Sequence, residues 1–214
     1  MPLYPDILNE DCSDISDWTD IDSVNGVSSV SPSGQFQFNA STHASGNYAA
    51  LSRILVSPPN TFTLEIKMYF DTLGTTSNSD QAVLYYYNTN WQLRILFGSN
   101  GLFVVLAGGS AGEVGTDIVK CNATVAWQTW RFQINKTTPS SATCEVFLKE
   151  EGGAFVSQGT VDCDYETGGT DGLLMFKQFG VSTDNMISHV DYIKIATGLG
   201  EIYGDSTSDF LQLF

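Results

Sequence analysis

A net charge of −15 over 214 residues, from 24 acidic and 9 basic side chains, sets the first limits on this chain. Nucleic-acid binding needs clustered Lys and Arg, so we expect no nucleic-acid partner. No stretch approaches about 18 uninterrupted apolar residues, and we therefore expect no transmembrane helix and no membrane partner. The length suits one large domain that buries about 70% of its unfolded surface, so the core needs neither a disulfide nor a metal.

The sequence opens with an acidic segment, residues 12–22 (CSDISDWTDID), and we expect it to pair with a strand at 187–197 near the other end. Residues 61–70 (TFTLEIKMYF) alternate strictly between apolar and polar side chains. A period of two is typical of a half-buried β-strand. This segment therefore predicts a strand whose apolar side chains face a core.

Short runs rich in β-branched and aromatic residues continue along the middle of the chain. Residues 82–87 and 91–97 flank the sequence N-T-N, a hairpin signal, and residues 102–107 follow a further turn. Helical periodicity is almost absent. Together with the later runs, this spacing predicts about eleven to thirteen strands in a double-sheet sandwich.

Two later runs, residues 143–149 and 155–163, flank a pair of glycines and predict another hairpin. If it centres near Gly153, Cys144 and Cys163 face each other across it. A disulfide and two reduced core thiols both fit that placement. With Cys12 and Cys121 the chain allows three pairings but has no C-x-x-C motif, which argues against zinc or thioredoxin-like redox chemistry.

We divide the chain into an N-terminal arm (residues 1–7), a sandwich domain (8–198) and a C-terminal tail (199–214). Two interpretations of the tail stay open: it folds back onto the domain, or it docks on a neighbouring protein. The start of the sequence, MPLYPD, lacks the basic and apolar regions of a signal peptide, so we expect cytoplasmic synthesis without export. The tail carries four apolar residues among its last five: Phe210, Leu211, Leu213 and Phe214.

Five features occur along the chain: Trp18 in the acidic opening, the strand at 61–70, W-x-x-W-R-F at 127–132, EVFLKEEGG at 145–153 and HVDYIKIA at 189–196. Together these features resemble the concanavalin-A-like lectin/glucanase superfamily, which includes the laminin-G-like modules. The resemblance covers about residues 8–198. It implies an all-β jelly-roll sandwich of two antiparallel sheets, one convex and one concave, with adjacent termini. It implies no substrate, because this scaffold carries lectins, hydrolases, lyases and structural modules.

Three patterns are similar to enzyme motifs without predicting catalysis. Ser110 lies in a G-x-S-x-G sequence, but no helical pattern follows it. The acids at 162–166 lie about 13 Å apart in a regular strand, whereas retaining glycosidases need about 5–5.5 Å. Residues 172–180 resemble the Tyr-Phe-Lys strand of alginate-lyase-like enzymes, but the matching Gln-x-His strand is missing. We expect no enzymatic activity, with a polysaccharide lyase or glycoside hydrolase as the alternative.

The scarce cations of the predicted strands, with nearby tyrosines, form a candidate glycan-binding surface on the concave sheet. Aromatic rings stack on sugar faces, and charged groups bind hydroxyls or uronates. The alternative is a solvated outer face whose charges pair with one another. The candidate residues are Lys67, Tyr69, Tyr85, Tyr87, Arg94, Arg131 and Lys177.

Aspartates near both ends of the sandwich form a candidate structural calcium site. The resemblance supports it, since related sandwiches often hold calcium where such oxygen ligands converge. The candidate ligands are Asp14, Asp17 and Asp191. Solvated acids that keep an edge strand from pairing with other molecules are the alternative. We expect no other cofactor.

A β-rich, Lys-poor and acidic composition is typical of proteins that work outside cells. Release by lysis reconciles that composition with the missing leader. We therefore predict a non-enzymatic bacteriophage virion component on the particle surface, a decoration protein that binds other virion proteins or itself and contacts host glycans. A free carbohydrate-binding module or lectin is the alternative. The glycan, the host and the oligomeric state stay open.

Overall fold

The computed structural model describes residues 3–23, 26–40, 48–56, 59–71, 82–88, 91–98, 101–108, 114–119, 126–138, 141–163, 171–179 and 186–203. Within these ranges every regular element is a β-strand. No helix in them is long and apolar enough to cross a membrane. The strands are β1 (Leu8–Glu10), β2 (Thr19–Asp20), β3 (Gly26–Val30), β4 (Phe36–Ala40), β5 (Tyr48–Val56), β6 (Thr61–Phe70), β7 (Ala82–Asn88), β8 (Trp91–Gly98), β9 (Gly101–Gly108), β10 (Val114–Val119), β11 (Gln128–Thr138), β12 (Ser141–Glu150), β13 (Val156–Cys163), β14 (Asp171–Phe179) and β15 (Met186–Thr197).

The strands form two antiparallel sheets. The first sheet has the order β13-β12-β11-β6-β15-β4-β3, and β1 also pairs with β15. The second sheet has the order β10-β9-β8-β7-β14-β5-β2. This arrangement confirms the predicted all-β sandwich.

The strand at 61–70 shows why the sheets pack together. Its apolar side chains point to one face, and burying each contributes about 1.5–3 kcal/mol. Across the interface, the rings of Phe38 on β4 and Phe176 on β14 have centroids 4.6 Å apart, so the first sheet contacts the second directly. The predicted alternation is confirmed, since the five apolar side chains of β6 are all buried: Phe62, Leu64, Ile66, Met68 and Phe70.

The acidic opening does not pair with β15, so that prediction is wrong. The strand beside β15 is β1, where Leu8 lies opposite Ile195. Within the opening, β2 pairs instead with β5 of the second sheet. Asp22 explains this position, because its carboxylate accepts hydrogen bonds from the backbone N–H groups of Ser28 on β3 and Ala50 on β5. The carboxylate thus ties the opening to both sheets.

The two terminal segments meet beside the sandwich. Leu3 and Ile202 form an isolated parallel bridge, and Ile202 is buried. The backbone N–H of Tyr203 donates to the carbonyl of Leu3 at 2.9 Å. The arm and the start of the tail therefore pack on each other. The four apolar docking candidates, Phe210, Leu211, Leu213 and Phe214, lie outside the described residues.

The β12–β13 hairpin has a different register from the predicted one. Cys144 lies opposite Val161, and Cys163 lies opposite Ala142, so the two cysteines are not cross-strand neighbours. The pairing shifts between Val146 and Phe147, and Gly159 adopts a φ of 132° beside that shift. A bulge adds one residue to a strand and displaces every later pair.

Candidate functional site

The predicted glycan surface is divided between the two sheets. Lys67 and Tyr69 lie on β6 and Arg131 lies on β11, all in the first sheet. The second sheet carries Tyr85, Tyr87, Arg94 and Lys177, on β7, β8 and β14. The prediction of one shared surface is therefore wrong. Strand alternation reveals which residues share a face of a strand, but not the sheet to which that strand belongs.

On the second sheet, the backbone register brings some candidates together. Tyr85 lies opposite Arg94 on the neighbouring strand. Tyr87 lies opposite Leu173, and Lys177 lies opposite Val83. Glycan binding at these positions stays a prediction.

Arg131 belongs to a closed network on the outer face of the first sheet. Its Nε donates to Oε2 of Glu65 at 3.0 Å, and both side chains are buried. Its guanidinium lies 3.4 Å from the ring centroid of Phe155. The hydroxyl of Tyr192 donates to Oε1 of Glu65 at 2.7 Å. Burial, and then the Glu65 carboxylate, raise the pKa of Tyr192 well above its usual value. Arg131 is thus buried and engaged by partners within the protein, and glycan binding by this residue stays a prediction.

The start of the tail covers part of the same face. Glu201 contacts Nη2 of Arg131 at 3.4 Å. The hydroxyl of Thr63 donates to the carbonyl of Gly198 at 2.8 Å, and Nε2 of Gln133 donates to the carbonyl of Gly200 at 3.3 Å. These contacts leave the opposite end of β6, around Tyr69, as the more accessible part of the outer face.

Three aromatic side chains form a row across that end of the sheet, the ring row of Trp127, Tyr69 and His189. Tyr69 stacks on His189 with centroids 4.5 Å apart and planes at 8°. Trp127 meets Tyr69 edge to face, also at 4.5 Å. The register explains the row, since Tyr69 pairs with His189, and Trp127 directly precedes the residue that pairs with Met68. Tyr69 and Trp127 are half-buried.

Charged side chains surround the ring row. Lys67 Nζ lies 2.7 Å from Oδ2 of Asp191 and 5.0 Å from the Trp127 centroid. Nε2 of His189 lies 3.2 Å from Oδ2 of Asp71, whereas its buried Nδ1 has no hydrogen-bond partner among the described residues. Burial, and then the Asp71 carboxylate, raise the pKa of Tyr69. The Tyr69 phenol therefore keeps its proton at neutral pH.

The candidate calcium ligands make other contacts. Asp14 accepts hydrogen bonds from the backbone and hydroxyl of Ser16, which lower its pKa. Asp17 contacts Arg53 at 3.4 Å, and Asp191 contacts Lys67. In the part of the chain that the structure describes, no three His, Cys, Asp or Glu side chains converge on a metal position. Calcium binding stays a prediction without support from this geometry.

Ser110 lies outside the described residues, and so do residues 164–166 of the acid pattern at 162–166. Sequence reasoning missed Trp127 and His189 as members of the site. Trp127 is the first tryptophan of the W-x-x-W-R-F segment, so the sequence contained a signal for it as an aromatic residue at the start of a strand. His189 could be found only from its register with Tyr69.

No family model and no curated protein matches this sequence. Solved structures match its fold. A seed lectin from Lotus tetragonolobus is 9% identical, with a TM-score of 0.60 over 91% of this chain and 99% of the lectin. A peanut lectin is 10% identical, with a TM-score of 0.62 over 90% and 97%. A PL-14 alginate lyase from Aplysia kurodai is 10% identical, with a TM-score of 0.64 over 89% and 98%.

The chain has a concanavalin-A-like jelly-roll fold. Lectins and a lyase share this jelly roll at similar distances, and identities near 10% show common architecture alone. Ligand binding or cleavage by this jelly roll depends on its own residues.

Proposed function

We propose that this jelly roll is a carbohydrate-binding module without catalytic activity. The observation that carries the proposal is the ring row on the outer face of the first sheet. Partly exposed aromatic rings stack on the apolar faces of sugars, and nearby polar groups bind the hydroxyls. Tyr69 stands on β6 and His189 on β15, and both strands have pairing partners on both sides, while Trp127 directly precedes β11. Side chains on paired strands are already ordered, so little conformational entropy is lost when a ligand binds.

The pair Lys67–Asp191 supplies the polar part of the site. The two side chains keep exposures of 32% and 30%, so a ligand can reach both. An ammonium donates hydrogen bonds and a carboxylate accepts them, and sugar hydroxyls need both kinds of partner. The Tyr69 phenol donates to the Asp71 carboxylate, and the partly exposed Asp71 adds a further acceptor.

The same geometry favours binding over catalysis. Glu65 is held between Arg131 and Tyr192 and is buried. The His189 side chain is only 7% exposed, and its ring is stacked against the ring of Tyr69. A general base must come within hydrogen-bond reach of the proton it removes. Neither Glu65 nor His189 offers that access in this arrangement.

The test is a glycan microarray probed with labelled wild-type protein and two variants. Trp127→Ala should lower the apparent affinity for bound glycans by about tenfold, which corresponds to about 1.4 kcal/mol. Tyr4→Ala is the matched control, because Tyr4 is an aromatic residue outside the ring row with 60% exposure. Its variant should bind like wild type. A blank array, or equal binding by wild type and Trp127→Ala, contradicts the proposal.

A narrower form of the proposal places the module on a virion surface, attached through its tail and exposed to the medium after lysis. Its support is the apolar sequence of Phe210, Leu211, Leu213 and Phe214. Deletion of residues 204–214 should then abolish incorporation into particles. Incorporation at the wild-type level would contradict the virion role and leave glycan binding unaffected.

A further inference from the structure

The charges beside the ring row are unequally available to a ligand. Asp71, at one end of the row, keeps 41% of its side chain exposed, and its carboxylate contacts His189. Asp191 keeps 30% exposed. Next to Trp127, Gln128 pairs with Glu150 of the neighbouring strand, and Glu150 and the following Glu151 are both exposed. Solvent-accessible negative charge therefore lies on both sides of the rings.

The neighbouring cations are already engaged within the protein. Lys67 forms an ion pair with Asp191 and also lies over Trp127. Lys149, opposite Thr129 in the next strand, holds its Nζ 5.6 Å from the Phe155 centroid. Arg131 is buried against Glu65. An acidic sugar arriving at the row would have to compete with these partners for a cation.

His189 faces one of these carboxylates. Its Nε2 lies 3.2 Å from Oδ2 of Asp71, so an N–H at that nitrogen donates there. Its Nδ1 is buried and has no hydrogen-bond partner among the described residues. Lys67, Asp71 and Asp191 carry one positive and two negative charges, so these three side chains sum to a net negative charge at the row.

We infer that the ring row takes glycans without carboxylate, sulfate or phosphate groups, namely neutral and amino sugars. This inference rests on the proposed glycan binding and names its ligand class. The rings supply attraction to sugar faces of any charge, whereas the exposed carboxylates repel anionic substituents and attract ammonium groups. The chain-wide charge of −15 acts in the same direction.

The experiment uses an array that carries neutral, amino-sugar, uronate, sialylated and sulfated glycans, probed at low and high salt. Wild type should give its Trp127-dependent signals on neutral and amino sugars, with acidic glycans weaker by about fivefold or more. Asp71→Asn keeps the side-chain size and removes one charge at the row. It should raise the relative signal on acidic glycans by about fivefold at low salt, and high salt should reduce this gain because it screens surface charges.

Asp11→Asn is the matched control, since it removes an exposed carboxylate outside the row, and it should leave the preference unchanged. Trp127-dependent binding that is strongest on uronate or sulfated glycans would overturn the inference and leave the proposed function standing. The inference is also overturned, with the proposed function left standing, if Asp71→Asn changes binding to acidic glycans no more than Asp11→Asn does. A blank array, or binding that ignores Trp127→Ala, would overturn the proposed function itself.

Discussion

Arg131→Ala should destabilise the fold far more than its position on an outer face suggests. The substitution leaves the buried Glu65 carboxylate without its guanidinium, and Glu65 and Arg131 are only 6% and 7% exposed. Removing one partner of a buried ion pair costs about 3–5 kcal/mol. The lost stacking on Phe155 adds to the effect, while the retained hydrogen bond from Tyr192 reduces it. At about 2–4 °C per kcal/mol for a chain of this size, the Tm should fall by about 6–20 °C.

Lys67→Ala is the internal comparison, because Lys67 is also a cation of the first sheet with a carboxylate partner. Its pair with Asp191 is about one-third exposed on both sides, and such pairs contribute about 0–1 kcal/mol. The Tm should therefore fall by less than about 4 °C. Thermal and urea unfolding followed by circular dichroism measures both variants. Equal losses of unfolding free energy for the two substitutions would refute the reasoning that burial makes the Arg131–Glu65 pair the more important one. A loss of unfolding free energy below about 1 kcal/mol for Arg131→Ala would refute it as well.

Three further predictions concern single positions. Burial, and then the Glu10 carboxylate, raise the pKa of Cys12 far above its usual value. Iodoacetamide at about pH 8 should therefore leave Cys12 unmodified in the native protein and modify it in urea. Mass spectrometry of the peptides checks this, and rapid labelling of the native protein would contradict it. Because the pKa of Tyr192 is raised in the folded protein, the stabilisation that Tyr192 provides is complete at pH values below the ordinary tyrosine pKa of 10.0. This stabilisation is lost as the pH rises above that value. The urea midpoint of wild type should accordingly fall more steeply from about pH 9 to about pH 11 than that of Tyr192→Phe, and parallel curves would exclude this role. A Cβ at Gly26 would overlap the backbone carbonyl of Tyr48, whereas one at Gly34 meets open space. Gly26→Ala should thus lower the Tm more than Gly34→Asn does, because asparagine tolerates the φ of 76° at position 34. The reverse order of Tm values would be inconsistent with the close approach of Gly26 to Tyr48.

The parts of the fold that follow from local chemistry were predictable. The strict alternation at 61–70 predicted both the bounds of β6 and its buried face, because a period of two places every second residue in the core. The hairpin of β12 and β13 was predictable in existence but not in register. Its register depends on a bulge near Gly159, and no local pattern distinguishes that residue from an ordinary turn glycine.

The candidate site depended on long-range pairing and was therefore predicted only in part. Lys67 and Tyr69 were identified from their strand, but their grouping with Arg94 failed because β6 and β8 belong to different sheets. His189 joins Tyr69 only because β15 lies next to β6 with that register. The burial of Arg131 likewise requires Phe155 and Glu201, which come from distant segments of the chain.

The central position of β15 has a consequence for the order of synthesis. This strand lies between β6 and β4 and also pairs with β1, yet it follows every other described strand in the sequence. A growing chain on the ribosome therefore holds β4 and β6 with open edges until residues 186–197 emerge. Open edges recruit strands from other chains. The first sheet therefore closes only after β15 has been synthesised, and until then the edges of β4 and β6 are open to pairing with other chains.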